Sequence, residues 1–260
     1  MTTWQSRLRH QQGGLPWPLT LLIVLVLLLL GLFTLLLFTP AGAIGMVLER
    51  TGSDVRLLSP AGRIHRGSGQ VLLGTGDLGR LTWQFEPGQL LRGQLGYRFQ
   101  LEAPLHQARA RATVSPRRIV VEAIEGELDE AGLRNLLAPY DISPAGSLSL
   151  TAGRFEVQRD RLIEVHGDAH WTGGFVRYFL GDQGWTAEFP PLDARLRLVQ
   201  EQPVLVVFDP AGEELLDATL GLDGWAHLRL RYRFVALAGF PWPDAPPPDT
   251  ILIELSEQVF

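Results

Sequence analysis

The stretch Gln94 to Glu102, QLGYRFQLE, alternates polar and apolar side chains. On an extended chain, successive side chains point to opposite faces. Leu95, Tyr97, Phe99 and Leu101 therefore share one face, and Gln94, Arg98, Gln100 and Glu102 share the other. One apolar face and one wet face is the pattern of an antiparallel strand, not of a parallel strand covered by helices on both sides.

The same period extends in both directions. Leu81/Trp83/Phe85 precede the stretch, and Leu148/Leu150, Phe155/Val157 and Leu196/Leu198 follow it. Leu228, Leu230, Tyr232 and Phe234 repeat the pattern against Arg229, Arg231 and Arg233, which predicts one continuous strand. Turn signals fall between these runs at Pro60-Ala61-Gly62, Gly74-Thr75-Gly76-Asp77, Glu86-Pro87-Gly88, Pro144-Ala145-Gly146, Asp160-Arg161 and Pro210-Ala211-Gly212. Val204 to Phe208 is apolar throughout and predicts a strand buried on both faces. Glu127 to Ala138 departs from period two. Leu128, Leu133, Leu136 and Leu137 fall on one helical side, acidic residues lead the segment and Pro139 ends it, so one short helix is expected there. A weaker helical signal covers Pro87 to Leu91.

Upstream lies Leu19 to Phe38, without a charge and with Thr20 and Thr34 as its polar residues. At about 1.5 Å per residue it reaches roughly the 30 Å hydrocarbon thickness of a bilayer. Arg7 and Arg9 precede it and no basic residue occurs from Thr39 to Leu48, so the N-terminus is expected in the cytoplasm and the rest exported. Ala41-Gly42-Ala43 also has the spacing of a signal-peptidase site, but the run is longer and richer in leucine than a signal core. The expected layout is a cytoplasmic tail at 1–14, a transmembrane helix at 15–38, a linker at 39–52, a periplasmic β domain at 53–240 and a Pro-rich segment at 241–260. In that last segment, Ile251 to Leu255 either closes the same sheet or adds to a partner's sheet edge. The fold class is thus mainly β: a curved, mostly antiparallel sheet with one or two short helices, preceded by a single N-terminal transmembrane helix.

Composition narrows the function. The 23 basic residues, all arginine, face 28 acidic ones. With Arg7 and Arg9 set aside, 21 basic and 28 acidic residues leave a net of −7 downstream, which argues against a nucleic-acid surface. No cysteine is present, so neither a disulfide nor a thiolate metal site exists. His166, Asp168 and His170 would project from one strand face. Two imidazoles and a carboxylate can hold zinc or iron, and a solvated strand face beside Trp171 has the same pattern. Gly67-Ser68-Gly69 and Gly74-Thr75-Gly76 lack the helix and lysine of a phosphate loop and read as turns or close strand contacts. Neither a G-x-S-x-G elbow nor an assembled acid–base set is legible, so the reading is not an enzyme, with no catalytic residue, metal ligand or cofactor assigned. Trp83, Trp171, Trp185 and Trp225 would line a groove or fill a core.

Between Gly62 and Leu101 the chain resembles the type II secretion system protein N family. Gly62 and Gly67 match a spaced glycine pair. Leu81, Trp83, Pro87, Leu90, Leu91, Gly93 and Leu95 match an L-x-W-x-x-x-P-x-x-L-L-x-G-x-L block. Pro144, Gly146, Leu148 and Leu150 resemble a later P-x-G-x-L-x-L element, and Gly167 and Trp171 a G-x-x-x-W element. The resemblance implies a Gram-negative inner-membrane protein with a periplasmic domain, accessory to export of folded proteins across the outer membrane. It further implies the C, L and M subunits of that machine as partners, and no cofactor. The matching residues speak to fold more than to chemistry. The alternative is a groove-type lipid-binding or lipid-transfer protein resembling AsmA. Strands with one apolar face can curl into a channel that removes acyl CH₂ groups from water, about 0.8 kcal/mol each.

Overall fold

The computed structural model describes residues 39–42, 55–73, 76–159, 161–180, 183–221, 223–239, 242 and 244–258. The expected anchor at 15–38 and the Gly74-Thr75 part of one turn lie outside them. Among the described residues, no helix is long and apolar enough to cross a membrane.

In chain order the strands are β1 Val55–Arg63, β2 Arg66–Leu73, β3 Gly76–Glu86, β4 Leu95–Ala103, β5 His106–Ser115, β6 Arg118–Leu128, β7 Ile142–Pro144 and β8 Leu148–Gln158. There follow β9 Arg161–Trp171, β10 Gly174–Leu180, β11 Gln183–Phe189, β12 Leu192–Val199, β13 Gln202–Phe208, β14 Glu214–Leu220, β15 Trp225–Arg231 and β16 Ile251–Gln258. Among the described residues there are also two α-helices, α1 Glu130–Leu137 and α2 Tyr232–Leu237, and two short 3-10 segments. Among the described residues, thirteen strands form one antiparallel sheet in the order β1-β2-β3-β4-β5-β6-β8-β9-β12-β13-β14-β15-β16. A three-stranded sheet, β11-β10-β7, is separate. The sheet is open, and its neighbours follow chain order because hairpin turns make nearly every connection.

Directly opposed residues share a face, so the register shows how side chains are sorted. One row runs Gly69, Leu81, Leu101, Ala108, Gly126, Leu150, Ala169, Ala194, Val207, Leu216, Leu230 and Ile253, apolar at every strand from β2 to β16. A neighbouring row on the opposite face runs Ser68, Thr82, Gln100, Arg109 and Glu125. Bulges keep the faces in phase. In β6 the apolar positions change from Ile119 and Val121 to Ile124, Gly126 and Leu128. The register shifts between them, at Ala123, whose φ is 51°. In β8 they change from Leu148 and Leu150 to Gly153 and Phe155, beside Ala152 at φ 53°. One extra residue reverses the alternation, and the bulge absorbs it.

Four expectations need correction. The ladder of β15 ends at Arg231, and Tyr232 to Leu237 turn into α2 instead of prolonging the strand. The first helical amides are taken by outside carbonyls, Tyr232 N–H donating to Thr250 O and Arg233 N–H to Pro248 O. Pro60-Ala61-Gly62 is a bulge inside β1, not a turn, since pairing with β2 resumes at Ala61 and the chain reverses at Ile64-His65. The segment Val204 to Phe208 is not covered on both faces. Leu205 stays exposed, and Phe208 is met by the Arg195 guanidinium 4.7 Å from its ring centre. Leu128 pairs with Leu148 in the sheet, so α1 starts later than expected, capped by the Asp129 carboxylate accepting from Gly132 N–H at 2.8 Å. Leu136 is exposed and Leu133 is the buried leucine of that helix.

The densest packing is at the β1 end, where Ala41, Leu57, Val71 and Trp83 are buried together and Tyr97, Phe99 and Leu101 pack on them. Trp83, 3% exposed, lies over Gly67 and donates from Nε1 to Arg63 O at 3.2 Å. A methyl on Gly67 would meet the Trp83 ring at 2.6 Å and Ala61 O at 2.6 Å. Gly146 (φ 81°) is as tight, with Gly173 O at 2.4 Å, whereas the nearest atoms to a methyl on Gly167 lie at 3.7 Å. Gly67→Ala is therefore expected to destabilise by about 1–3 kcal/mol. Gly167→Ala should stay within about 0.5 kcal/mol of the parent. Urea titration followed by tryptophan fluorescence separates the two.

Candidate functional site

The apolar face is the feature with unspent chemistry. Along its rows Leu95, Val114, Ile119 and Val157 are opposed strand by strand, and the first three are exposed. Phe155, Leu205 and Leu255 are likewise exposed. At one end the small sheet and α2 cover part of the face. Trp171 meets Phe189 at 6.2 Å between ring centres, and Phe189 meets Phe234 at 5.4 Å. Trp171 is held there by its Nε1–H donating to Ala145 O at 2.9 Å, next to the Gly146 turn. Between the two sheets remains a cleft of about 570 Å³ lined by Tyr140, Ile142, Trp171, Val176, Tyr178, Phe179, Phe189, Leu192, Leu230, Phe234, Val235, Ala238, Trp242 and Ile253. No ionisable group other than the tyrosines lines it. Its volume lies in the roughly 300–1,000 Å³ range of small-molecule sites. It can exclude water from an apolar guest, and it offers no acid, base or nucleophile beyond phenol.

The opposite face is an ion-pair lattice. Glu156, 6% exposed, takes Arg118 at 2.6 Å and Arg154 at 3.3 Å. Arg154 reaches Glu122 at 2.7 Å and Glu164 at 2.8 Å. The hydrogen bond between Arg154 and Glu164 raises the guanidinium's pKa and is the first cause that lowers the carboxyl's. Asp217, 3% exposed, is held by Arg229 at 2.7 Å and Arg231 at 3.5 Å. Burial raises the Tyr97 phenol, which packs between Phe85 and Phe99 on the apolar side.

His166, Asp168 and His170 do share the wet face of β9, but different partners engage each. His166 Nδ1 lies 3.3 Å from Glu164, Asp168 accepts from Arg197 at 2.7 Å, and His170 Nδ1 lies 2.8 Å from Asp193. No three-residue metal constellation forms among the described residues. The four tryptophans do not act as a set. Trp83 is buried on the apolar face, whereas Trp225 is exposed and opposed to Gln258 on the other.

The motif residues divide into two groups. Gly62 (φ 88°), Gly67, Leu81 and Trp83 build the packed corner, and Gly146 and Trp171 build the junction with the small sheet. Gly167 stands opposite Leu196 in the sheet without a close neighbour. Pro87 opens a 3-10 segment, Pro87–Arg92, and Gly93 closes it in the left-handed region at φ 70°. Leu90 and Leu95 are exposed, and Leu91 is 94% exposed. Of the leucines in this block, Leu81 is packed, whereas Leu90, Leu91 and Leu95 are presented. Sequence reading treated them as structural, and the pairing of two adjacent leucines with a helical turn gave no signal that both would face outward.

No curated protein and no solved structure matches the chain. The family model described as type II secretion system (T2SS), protein N, matches residues 54–244, which takes in the sheet from β1 to β15, the small sheet and both helices. The chain belongs to the type II secretion system protein N family.

Proposed function

We propose that this chain is a non-catalytic interaction subunit of the type II secretion apparatus. Residues 15–38 hold it in the inner membrane as a single span, the β domain lies in the periplasm, and the C, L and M subunits are its partners. The family match over residues 54–244 carries this reading. Leu91 supports it from the structure. Leaving a leucine in water forgoes about 1.5–3 kcal/mol of burial, and on the same 3-10 turn Leu90 is exposed next to it. Partner contacts recover that energy. Cross-linking of the full chain in native membranes, followed by mass spectrometry, is expected to recover C, L or M subunits. Leu91→Glu should remove most of those adducts without changing the far-UV spectrum. Recovery of no secretion subunit from the unmodified chain would sink the proposal.

A second reading, groove-type lipid binding, is favoured by one observation: the apolar row across the open sheet leads to a cleft of about 570 Å³ without a charge. An acyl chain laid there is stabilised by about 0.8 kcal/mol per buried CH₂. Phospholipid should co-purify with the full chain, and Ala238→Trp, which fills the cleft, should lose most of it. Lipid retained equally by both would place it elsewhere, as a detergent-like coat.

A further inference from the structure

We infer that the large sheet leans on the membrane by one rim, with its basic hairpin turns set against anionic phospholipid headgroups. The inference rests on the reading that residues 15–38 span the inner membrane. Antiparallel neighbours taken in chain order put successive connections at opposite ends of the strands. One rim therefore holds the connections 63–66, 86–95, 115–118, 158–161, 199–202 and 220–225. In sequence these carry seven arginines and four carboxylates, a net of +3. The connections leaving the other rim are 73–76, 103–106, 128–148, 171–192, 208–214 and 231–251. They carry four arginines and ten carboxylates, a net of −6. Along the chain the two kinds of connection alternate, and only the fold sorts them.

The positive charge gathers in the first four turns of the basic rim. These hold all seven arginines, Arg63, Arg66, Arg92, Arg117, Arg118, Arg159 and Arg161, and each is exposed. The turns are neighbours, since His65 O accepts from Phe85 N–H at 2.7 Å and Arg117 O from Arg159 N–H at 3.2 Å. Strands about 4.8 Å apart space successive turns by about 10 Å, close to one Debye length, so their fields add. Strands of 8 to 11 residues hold the acidic rim roughly 25–35 Å away, several Debye lengths off.

The chain also enters at this rim. Thr39 O accepts from Ile64 N–H at 3.0 Å at the tip of the β1–β2 hairpin, Pro40 bridges to Arg63, and Ala41 N–H donates to Gly62 O at 3.2 Å. Ala41 is 1% exposed and packs with Leu57, Val71 and Trp83. A span that ends at residue 38 leaves no slack, because the next residue is fixed to the hairpin tip and one residue reaches only about 3.3–3.6 Å. The tip is thus a pivot at the bilayer surface. The charge of the outlying turns decides whether the sheet leans down on its rim, and arginines there favour contact with headgroup phosphates.

The chain has no cysteine, so single introduced thiols carry a donor dye to chosen positions. Full-length Gln158→Cys, on the basic rim, and Ala211→Cys, on the acidic one, are reconstituted into vesicles of one-third phosphatidylglycerol and two-thirds phosphatidylcholine. A trace of headgroups carries the acceptor. Energy transfer at position 158 is expected to exceed that at 211 at least about threefold. The excess should fall by about half or more in pure phosphatidylcholine or in about 1 M salt. Arg66→Gln, Arg117→Gln, Arg159→Gln and Arg161→Gln together should lower it as much with the far-UV spectrum unchanged. Equal transfer at the two positions, from a chain that alkaline carbonate does not extract, would overturn the rim contact alone. An excess at 158 that ignores lipid charge would overturn the role of the headgroups. Extraction by carbonate would overturn the span, and the rim contact with it.

Discussion

Cross-strand register is the constraint on which the rest of this structure depends. A thirteen-stranded antiparallel sheet stays amphipathic only if every strand keeps the same phase, because a slip of one residue sends its whole apolar set to the wet side. The row from Gly69 to Ile253 shows the phase kept throughout. Where β6 and β8 contain one residue too many, Ala123 and Ala152 enter the left-handed region and absorb it. An alanine there is strained by roughly 1–2 kcal/mol, which the flanking ladder outweighs. The bulges also fall side by side in neighbouring strands, so a single dislocation crosses that part of the sheet and pairing resumes on both sides.

The two faces meet different physical demands. On the wet face, charges sit close enough to be partly desolvated, and each buried carboxylate is shared between two arginines. Glu156 lies between Arg118 and Arg154, and Asp217 between Arg229 and Arg231. Such pairs contribute little net stability compared with apolar packing, but removing one partner leaves a charge uncompensated. They therefore act as register keys, since a slipped strand would strand them. The apolar face has the opposite problem. It packs densely at Trp83 and again where Trp171, Phe189 and Phe234 meet, and between these the small residues Ala108, Ala110 and Ala112 of β5 leave it shallow.

Period two was legible wherever a strand kept its phase, as in β4 and β12, and the mainly antiparallel class followed from it. The failures have physical causes outside the local sequence. Tyr232 and Phe234 continue the alternation of β15, yet carbonyls of Pro248 and Thr250 take the amides that let a helix begin. Nothing within residues 228–237 encodes that. The apolar run at Val204 to Phe208 suggests two covered faces, whereas Leu205 is left exposed on one face and an arginine of β12 meets Phe208 on the other. His166, Asp168 and His170 do share one face, as their spacing predicts, and Glu164, Asp193 and Arg197, which engage them, come from their own strand and from β12. The cleft was illegible because its lining is drawn from both sheets, α2 and the Pro-rich segment, which only the fold brings together.

An open sheet of this size leaves part of its apolar face uncovered. Two short helices and a three-stranded sheet cover part of the face, while Leu95, Val114, Ile119, Phe155, Leu205 and Leu255 stay in water. Apolar surface is common on soluble proteins, but residues opposed strand to strand form a continuous band, and a band behaves as a binding surface in a way scattered residues do not. A secretion subunit and a lipid groove place different guests on the same band. Leu90 and Leu91 are exposed on the 3-10 turn before β4 and do not line the cleft, so a guest confined to the cleft leaves them in water. A partner that covers that turn would bury them, and on this ground the proposed interaction role stands ahead of the groove.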